Sequence, residues 1–163
     1  MSLIIRKAET KDIGIVQQVA KVSWNATYNG IIPNEIQENF LQSAYSNEMM
    51  ERRVNNSLFL VAEIGEEIVG FANFSPVREK GEVELGAIYL SPKYQGKGIG
   101  SALLQKGIQL LAGVKKVFIN VEKENEIGKT FYQAKGFKIH SEFDDDFDGH
   151  ILKTIRMVLT VEH

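Results

Sequence analysis

Residues 83–104, Val-Glu-Leu-Gly-Ala-Ile-Tyr-Leu-Ser-Pro-Lys-Tyr-Gln-Gly-Lys-Gly-Ile-Gly-Ser-Ala-Leu-Leu, constrain the fold more than any other stretch of the chain. Val83, Leu85, Ala87, Ile88, Tyr89 and Leu90 form a short apolar run, partly β-branched and aromatic, as a buried strand requires. Pro92 has no N–H for a ladder, so the strand ends at Leu90 or Ser91. Apolar residues at 99, 102, 103, 110, 111 and 114 then recur at helical spacing. The loop between strand and helix alternates Gly96, Gly98 and Gly100, with Lys93 and Lys97 adding positive charge. Residues without side chains let the backbone curl and approach a ligand, and the N–H groups of a helix N-terminus favour an anion.

Three kinds of glycine loop have to be separated. The nucleotide loop G-x-x-x-x-G-K-[ST] fails, because Ser101 and Ala102 stand where Gly and Lys are needed after Gly96. The dinucleotide fingerprint G-x-G-x-x-G is nearly met by Gly96-x-Gly98-x-x-Ser101, with the acidic Glu122 closing the next strand. A dinucleotide fold opens with that strand and loop, however, and here about 80 residues of other elements precede the strand, with too few following for a doubly wound sheet. Gln95-x-x-Gly98-x-Gly100 after a strand resembles the acetyl-CoA pyrophosphate loop of the GNAT superfamily of N-acetyltransferases, (Gln/Arg)-x-x-Gly-x-(Gly/Ala).

A second signature strengthens the resemblance. Residues 125–137, Asn-Glu-Ile-Gly-Lys-Thr-Phe-Tyr-Gln-Ala-Lys-Gly-Phe, are similar to the superfamily's N-x-x-(A/G)-x-x-F-Y-x-x-x-G-F element, in the family's order and spacing. The resemblance implies an α+β fold of one domain over residues 1–163. Its centre would be a mostly antiparallel, twisted sheet of about seven strands with one splayed parallel pair, flanked by about four to five helices. It implies acetyl-CoA as co-substrate, held by Ile88, Tyr89, Leu90, Gln95, Gly96, Lys97, Gly98, Ile99, Gly100, Ser101, Asn125, Lys129 and Tyr132.

Composition agrees with one globular domain. A chain of 163 residues buries about two thirds of its unfolded surface. Its apolar runs are too short to span a bilayer. The first residues lack the basic and long apolar regions of a secretory signal, so a cytoplasmic location is expected. The absence of cysteine removes disulfides, thiolate–zinc sites and an acyl-cysteine intermediate. His140, His150 and His163 show no metal spacing, and no metal is expected. A formal charge of −2 without a basic face argues against nucleic acid and suits a cationic substrate.

Along the chain, Ile4 and Ile5 open a strand. Thr10 stands as a cap before the helical pattern Ile13, Val16, Ala20 and Trp24. Residues 24–33 read as a loop, with Pro33 in the first turn of a second helix carrying Ile36, Phe40 and Ala44. Ser46 or Asn47 caps a third helix through Arg53. Residues 58–64 and 68–74 form a hairpin, and another turn leads into the central strand. A strand at 117–121 follows the glycine-loop helix, which acts as a crossover and makes it parallel to the 83–90 strand. Asn125 caps a last helix closed by Gly136. Strands near 137–143 and 150–159 flank an acidic turn, Asp144 to Gly149.

The reaction that the resemblance implies is direct attack of a primary amine on the thioester in a ternary complex. An amine of pKa about 10.4 is mostly protonated at neutral pH, so a base is needed. The resemblance places Glu84 in that role, with Glu82 two residues away on the same face as an alternative. Backbone N–H groups near Tyr89 and Leu90 would face the thioester carbonyl. Tyr132 would protonate the leaving thiolate. Trp24 and Tyr28, in W-x-x-x-Y-x-G-x-x-P, resemble the acceptor lid of bacterial small-molecule members, and with Glu84 they are the expected substrate contacts. Four-residue spacing equally makes Trp24 and Tyr28 a helix-end core pair. The expected acceptor is a small-molecule primary amine, a polyamine among them, drawn by Asp144, Asp145, Asp146 and Asp148. The alternatives are transfer to a protein N-terminus or lysine, and a non-catalytic acyl-CoA sensor. A homodimer is compatible with the family pattern.

Overall fold

A computed structural model describes residues 2–162; His163, the third histidine, lies outside them. The elements follow in the order β1 (Leu3–Lys7), α1 (Ile13–Tyr28), α2 (Asn34–Ala44), α3 (Asn47–Asn56), β2 (Leu58–Ile64), β3 (Glu67–Phe74), β4 (Glu82–Leu90), α4 (Ile99–Leu110), β5 (Lys116–Glu122), α5 (Glu126–Ala134), β6 (Lys138–Phe147) and β7 (His150–Thr160). Short 3-10 turns precede α1 and α4 and lead into β4. One sheet of seven strands runs β1-β2-β3-β4-β5-β7-β6, with β4 and β5 its parallel pair. The α+β architecture expected from the sequence is therefore present.

Helices cover the sheet on both faces. On one, Ile99, Leu103 and Leu104 of α4 and Tyr132 of α5 pack on Leu60, Phe74, Val83, Leu85 and Val117. On the other, Val16 and Ala20 of α1 and Met50 of α3 pack on Phe59, Val61 and Phe71. Caps fix the helix starts: Ser46 Oγ accepts the Met49 N–H at 3.2 Å, and Asn125 Oδ1 accepts the Gly128 N–H at 2.9 Å. At the start of α1 the expected Thr10 cap is replaced by a reciprocal pair of Glu9 and Asp12, preceding a 3-10 turn.

Two departures from the sequence reading bear on the site. Residues 24–28 are helix rather than loop, because Trp24, Tyr28 and Ile32 bury together with Leu152 and this packing outweighs the weak helix propensity of Asn25 and Thr27. The acidic stretch Asp144–Phe147 is strand rather than turn. Asp148 and Gly149, at φ of 52° and 83°, make the whole connection, a two-residue hairpin turn that needs positive φ twice.

Two features of β4 shape the centre of the molecule. The parallel ladder to β5 covers Glu82↔Lys116, Val83↔Val117 and Glu84↔Phe118, and beyond it the two strands diverge. Toward β3, Phe74 pairs with Leu85 but Asn73 with Ala87, so Gly86 is the extra residue of a bulge. The bulge inverts the alternation. Leu85 packs with α4, whereas Ala87 and Tyr89 turn to the α1 face, and Ile88 and Leu90 to the α4 face.

Candidate active site

The gap between the diverging strands opens into a cavity of about 570 Å³ that runs from the α4 side of the sheet to the end of α1. Most of the expected residues meet there: Ile88, Tyr89 and Leu90 of β4; Gln95, Gly96 and Gly98 of the loop; Ile99, Gly100 and Ser101 of α4; Asn125; Tyr132; and Tyr28. Four do not line it. Lys97 is exposed, its Nζ 5.8 Å from the centre of the Tyr94 ring. Lys129 is paired with Glu126 at 2.8 Å. Trp24 stands one layer behind Tyr28, with its ring 4.4 Å from Phe40 and 6.0 Å from Phe147, so it supports the wall instead of forming it. Glu84 lies at the foot of the gap, where β4 and β5 still pair, and both its carboxylate oxygens accept from Arg156. Arg156 also donates to Asn120 at 3.0 Å and covers the Phe118 ring. The Glu84 charge is thus already compensated within the protein.

At the N-terminus of α4 the backbone is bent for a ligand. Gly98 is the residue before the helix, at φ of 81°, and Gly96 sits at 77°. A Cβ on Gly98 would meet nothing within 4 Å, so the left-handed conformation demands glycine and the space in front of the helix stays open. N–H groups at such an end carry about half a positive charge. Gly100 has a different reason: a Cβ there would press on the Phe131 ring at 3.1 Å.

The far end of the cavity is a group of phenols about one carboxylate. Tyr28 and Tyr89 share a hydrogen bond of 3.0 Å between their hydroxyls, and burial pushes both phenols well above their ordinary range. Burial also raises Tyr132, with the charge of Glu122 adding to it, so its hydroxyl keeps its proton at any physiological pH. Glu122, the last residue of β5, lines the cavity, and desolvation raises its carboxyl despite Tyr28 and Asn125 beside it. Sequence reasoning noticed Glu122 only as the acid that closes the strand after a near-match to the dinucleotide fingerprint. The signal that would have singled it out is its place at the C-terminal end of a parallel strand, where splayed strands leave room for ligands.

The family model for the acetyltransferase (GNAT) family matches residues 22–137. The chain belongs to that family. Over 155 residues it is 32% identical to the spermidine N(1)-acetyltransferase of Thermoplasma acidophilum, covering 90% of this chain and 95% of that one. It is 33% identical over 159 residues to the uncharacterized N-acetyltransferase YuaI of Bacillus subtilis, covering 93% and 89%. The crystal structure of the PaiA N-acetyltransferase of T. acidophilum in complex with coenzyme A superposes with a TM-score of 0.87 at 29% identity, over 99% of this chain and 100% of that one. Ard1 of Thermoplasma volcanium, at 20% identity and a TM-score of 0.76, shares the fold.

This GNAT protein is an acetyl-CoA-dependent N-acetyltransferase. Its α4 N-terminus fits the pyrophosphate, in charge and in the space before Gly98, and the unpaired edge of β4 fits a chain that needs main-chain partners. Among the described residues no group of three or more His, Cys, Asp or Glu is placed to hold a metal. No described helix is long and apolar enough to cross a membrane.

Proposed function

We propose that the enzyme acetylates a primary amine of a small molecule, and that polyamines are the class its charges favour. The observation that carries this reading is the set of carboxylates on the acceptor side. Glu122 lines the cavity, and Asp145 on β6 lies near enough for its charge to raise the Glu122 carboxyl. Asp145 pairs across the hairpin with Leu152, which packs with Trp24 and Tyr28, so Asp145 shares the face on which α1 ends. A polycation meets negative charge along that approach. The 32% identity to a spermidine acetyltransferase over nearly all of both chains supports the same class.

Acetyl-CoA, when bound, supplies an activated acyl group and a thiolate leaving group. The loop from Gln95 to Ser101 would hold its pyrophosphate, and Ile88 to Leu90 and Asn125 its pantetheine arm. The N–H groups along the free edge of β4 would steady the carbonyl oxygen that gains charge. The Tyr132 hydroxyl, kept protonated by burial, would give its proton to the departing sulfur. Tyr28 and Tyr89 close the acceptor end against water.

The test is acetyl-CoA-dependent thiol release across polyamines, amino acids, aminoglycosides and an N-terminal peptide. Release with spermidine or spermine above the other amines is the expected result. Preference for the peptide would overturn the small-molecule reading.

A further inference from the structure

Glu122 is half-buried at the end of β5, and one of its two carboxylate oxygens is anomalous. Its Oε1 is shielded from solvent and has no hydrogen-bond partner, and no ion pair among the described residues involves it. The two lysines nearest Glu122 in the following segment are taken by other acids, Lys123 by Glu142 at 3.2 Å and Lys129 by Glu126 at 2.8 Å. The groups that face Glu122 come from every element around it: Tyr28 of α1, Tyr89 of β4, Asn125 before α5, Tyr132 of α5 and Asp145 of β6. On β7 its register partner is the buried Thr154. Tyr28 and Asn125 favour the carboxylate by hydrogen bonding, but none of these groups carries positive charge, and the Asn125 carbonyl oxygen is occupied by the Gly128 N–H. A carboxylate partly withdrawn from water among neutral and acidic neighbours is better compensated when a ligand brings a cation. Glu84 is the reverse case, since Arg156 neutralises it at the foot of the gap.

We infer that Glu122 receives the ammonium of the acceptor and takes its proton, so that the amine reaches the thioester uncharged. This rests on the acetyltransfer reading above. The ammonium gives one proton to the Glu122 carboxylate, and the freed nitrogen lone pair forms the C–N bond. The C–S bond breaks, and Tyr132 protonates the sulfur that leaves with its electron pair. The second amine proton restores Tyr132, and the Glu122 proton passes to solvent. One proton is released per turnover, as the conversion of an ammonium and a thioester to an amide and a thiol requires. Burial raises the Glu122 carboxyl and brings its basicity closer to neutrality, where a general base works best.

The experiment compares the parent with Glu122→Gln and Glu122→Asp, using spermidine and acetyl-CoA. In Glu122→Gln, kcat/KM at neutral pH is expected to fall by about 10²-fold or more. The acid limb of its pH profile should vanish, with activity recovering as pH rises toward the amine's own pKa. Glu122→Asp should keep the acid limb at reduced rate, and the shift in melting temperature on adding acetyl-CoA should be the same in all three. Full kcat/KM with the parent's pH profile in Glu122→Gln would overturn the inference. If the parent releases no thiol with any amine, the acetyltransfer reading fails separately. Calorimetry of spermidine binding to the CoA-loaded protein then decides: affinity lost in Glu122→Gln supports the ammonium site, and equal affinity overturns it.

Discussion

The hydroxyls of Tyr28 and Tyr89 meet at 3.0 Å, fastening the last turn of α1 to the upper half of β4. The contact depends on two things far apart in sequence. α1 continues through Tyr28 because Trp24 and Tyr28 pack together, their rings 4.3 Å apart. Tyr89 reaches the α1 face because the bulge at Gly86 inverts the strand's alternation. Without that extra residue Tyr89 would turn toward α4, and the end of the cavity beside α1 would lose its wall.

Tyr28→Phe and Tyr89→Phe should each lower stability by about 1 to 2 kcal/mol, since each leaves one buried hydroxyl without its partner. The double variant should cost less than the sum, because no hydroxyl is then stranded. Urea unfolding of the four proteins measures the coupling, and strict additivity would show that the pair is not coupled in solution.

Tyr132→Phe removes a proton that burial holds firmly in place. The expected loss in kcat is about 10²-fold or more, with acetyl-CoA affinity nearly unchanged. Turnover equal to the parent's would remove Tyr132 from the proton path.

Gly98→Val places a β-branched residue at φ of 81° and puts side-chain atoms in the space before α4. Acetyl-CoA at about 100 times its Kd stabilises a binding protein by about 2.7 kcal/mol, which for this size raises Tm by about 5 to 10 °C. That shift should disappear in the variant while cooperative unfolding persists. A normal shift would place the pyrophosphate elsewhere.

Arg6 donates to Asp12 at 2.8 and 3.1 Å and to Glu63 at 3.2 Å, tying β1 to the turn before α1 and to β2. The Arg6 guanidinium holds the nearly buried Asp12 carboxyl below its usual range. A depressed carboxyl contributes stability that is complete above the unfolded value of about 3.9 and is lost as pH falls through the folded one. Asp12→Asn should therefore cost about 2 kcal/mol at pH 7 and progressively less as pH falls below about 3.9. Denaturant titrations across that range check it; a gap independent of pH would mean that Asp12 acts only through hydrogen bonds shared by Asn.

Neutralising Asp144, Asp145 and Asp146 together to Asn should raise KM for spermidine several-fold and KM for a monoamine little, with the difference shrinking in high salt. The three side chains stand on a paired strand, and Asp144 faces Lys153 at 3.5 Å, so the fold should persist. Equal KM for both amines before and after would take the strand out of acceptor recognition.

The glycine loop and the Asn125 cap were legible because their signals are local. Gln95 to Ser101 must curl within seven residues, and Asn125 caps a helix three residues away, so both are written as short motifs. Glu84 was legible as an acid on the central strand but not as the partner of Arg156, 72 positions away in sequence. Trp24 was legible as one half of an aromatic pair, yet which of the two faces the cavity depends on Phe40 and Phe147, which come from two other elements.

By itself the sequence determined the order of strands and helices, the anion-binding loop and the parallel crossover, because periodicity, proline and glycine act within a few residues of themselves. Tertiary structure decided what lies opposite what. The splay beyond Glu84 and Phe118 and the inversion at Gly86 bring Tyr28, Tyr89, Tyr132 and Glu122 to one cavity wall, and the approach of β6 brings the charge of Asp145 within reach of Glu122. Strand register and side-chain burial are properties of packed neighbours, and no local pattern around Glu122 could state that its carboxylate would be left without a cation.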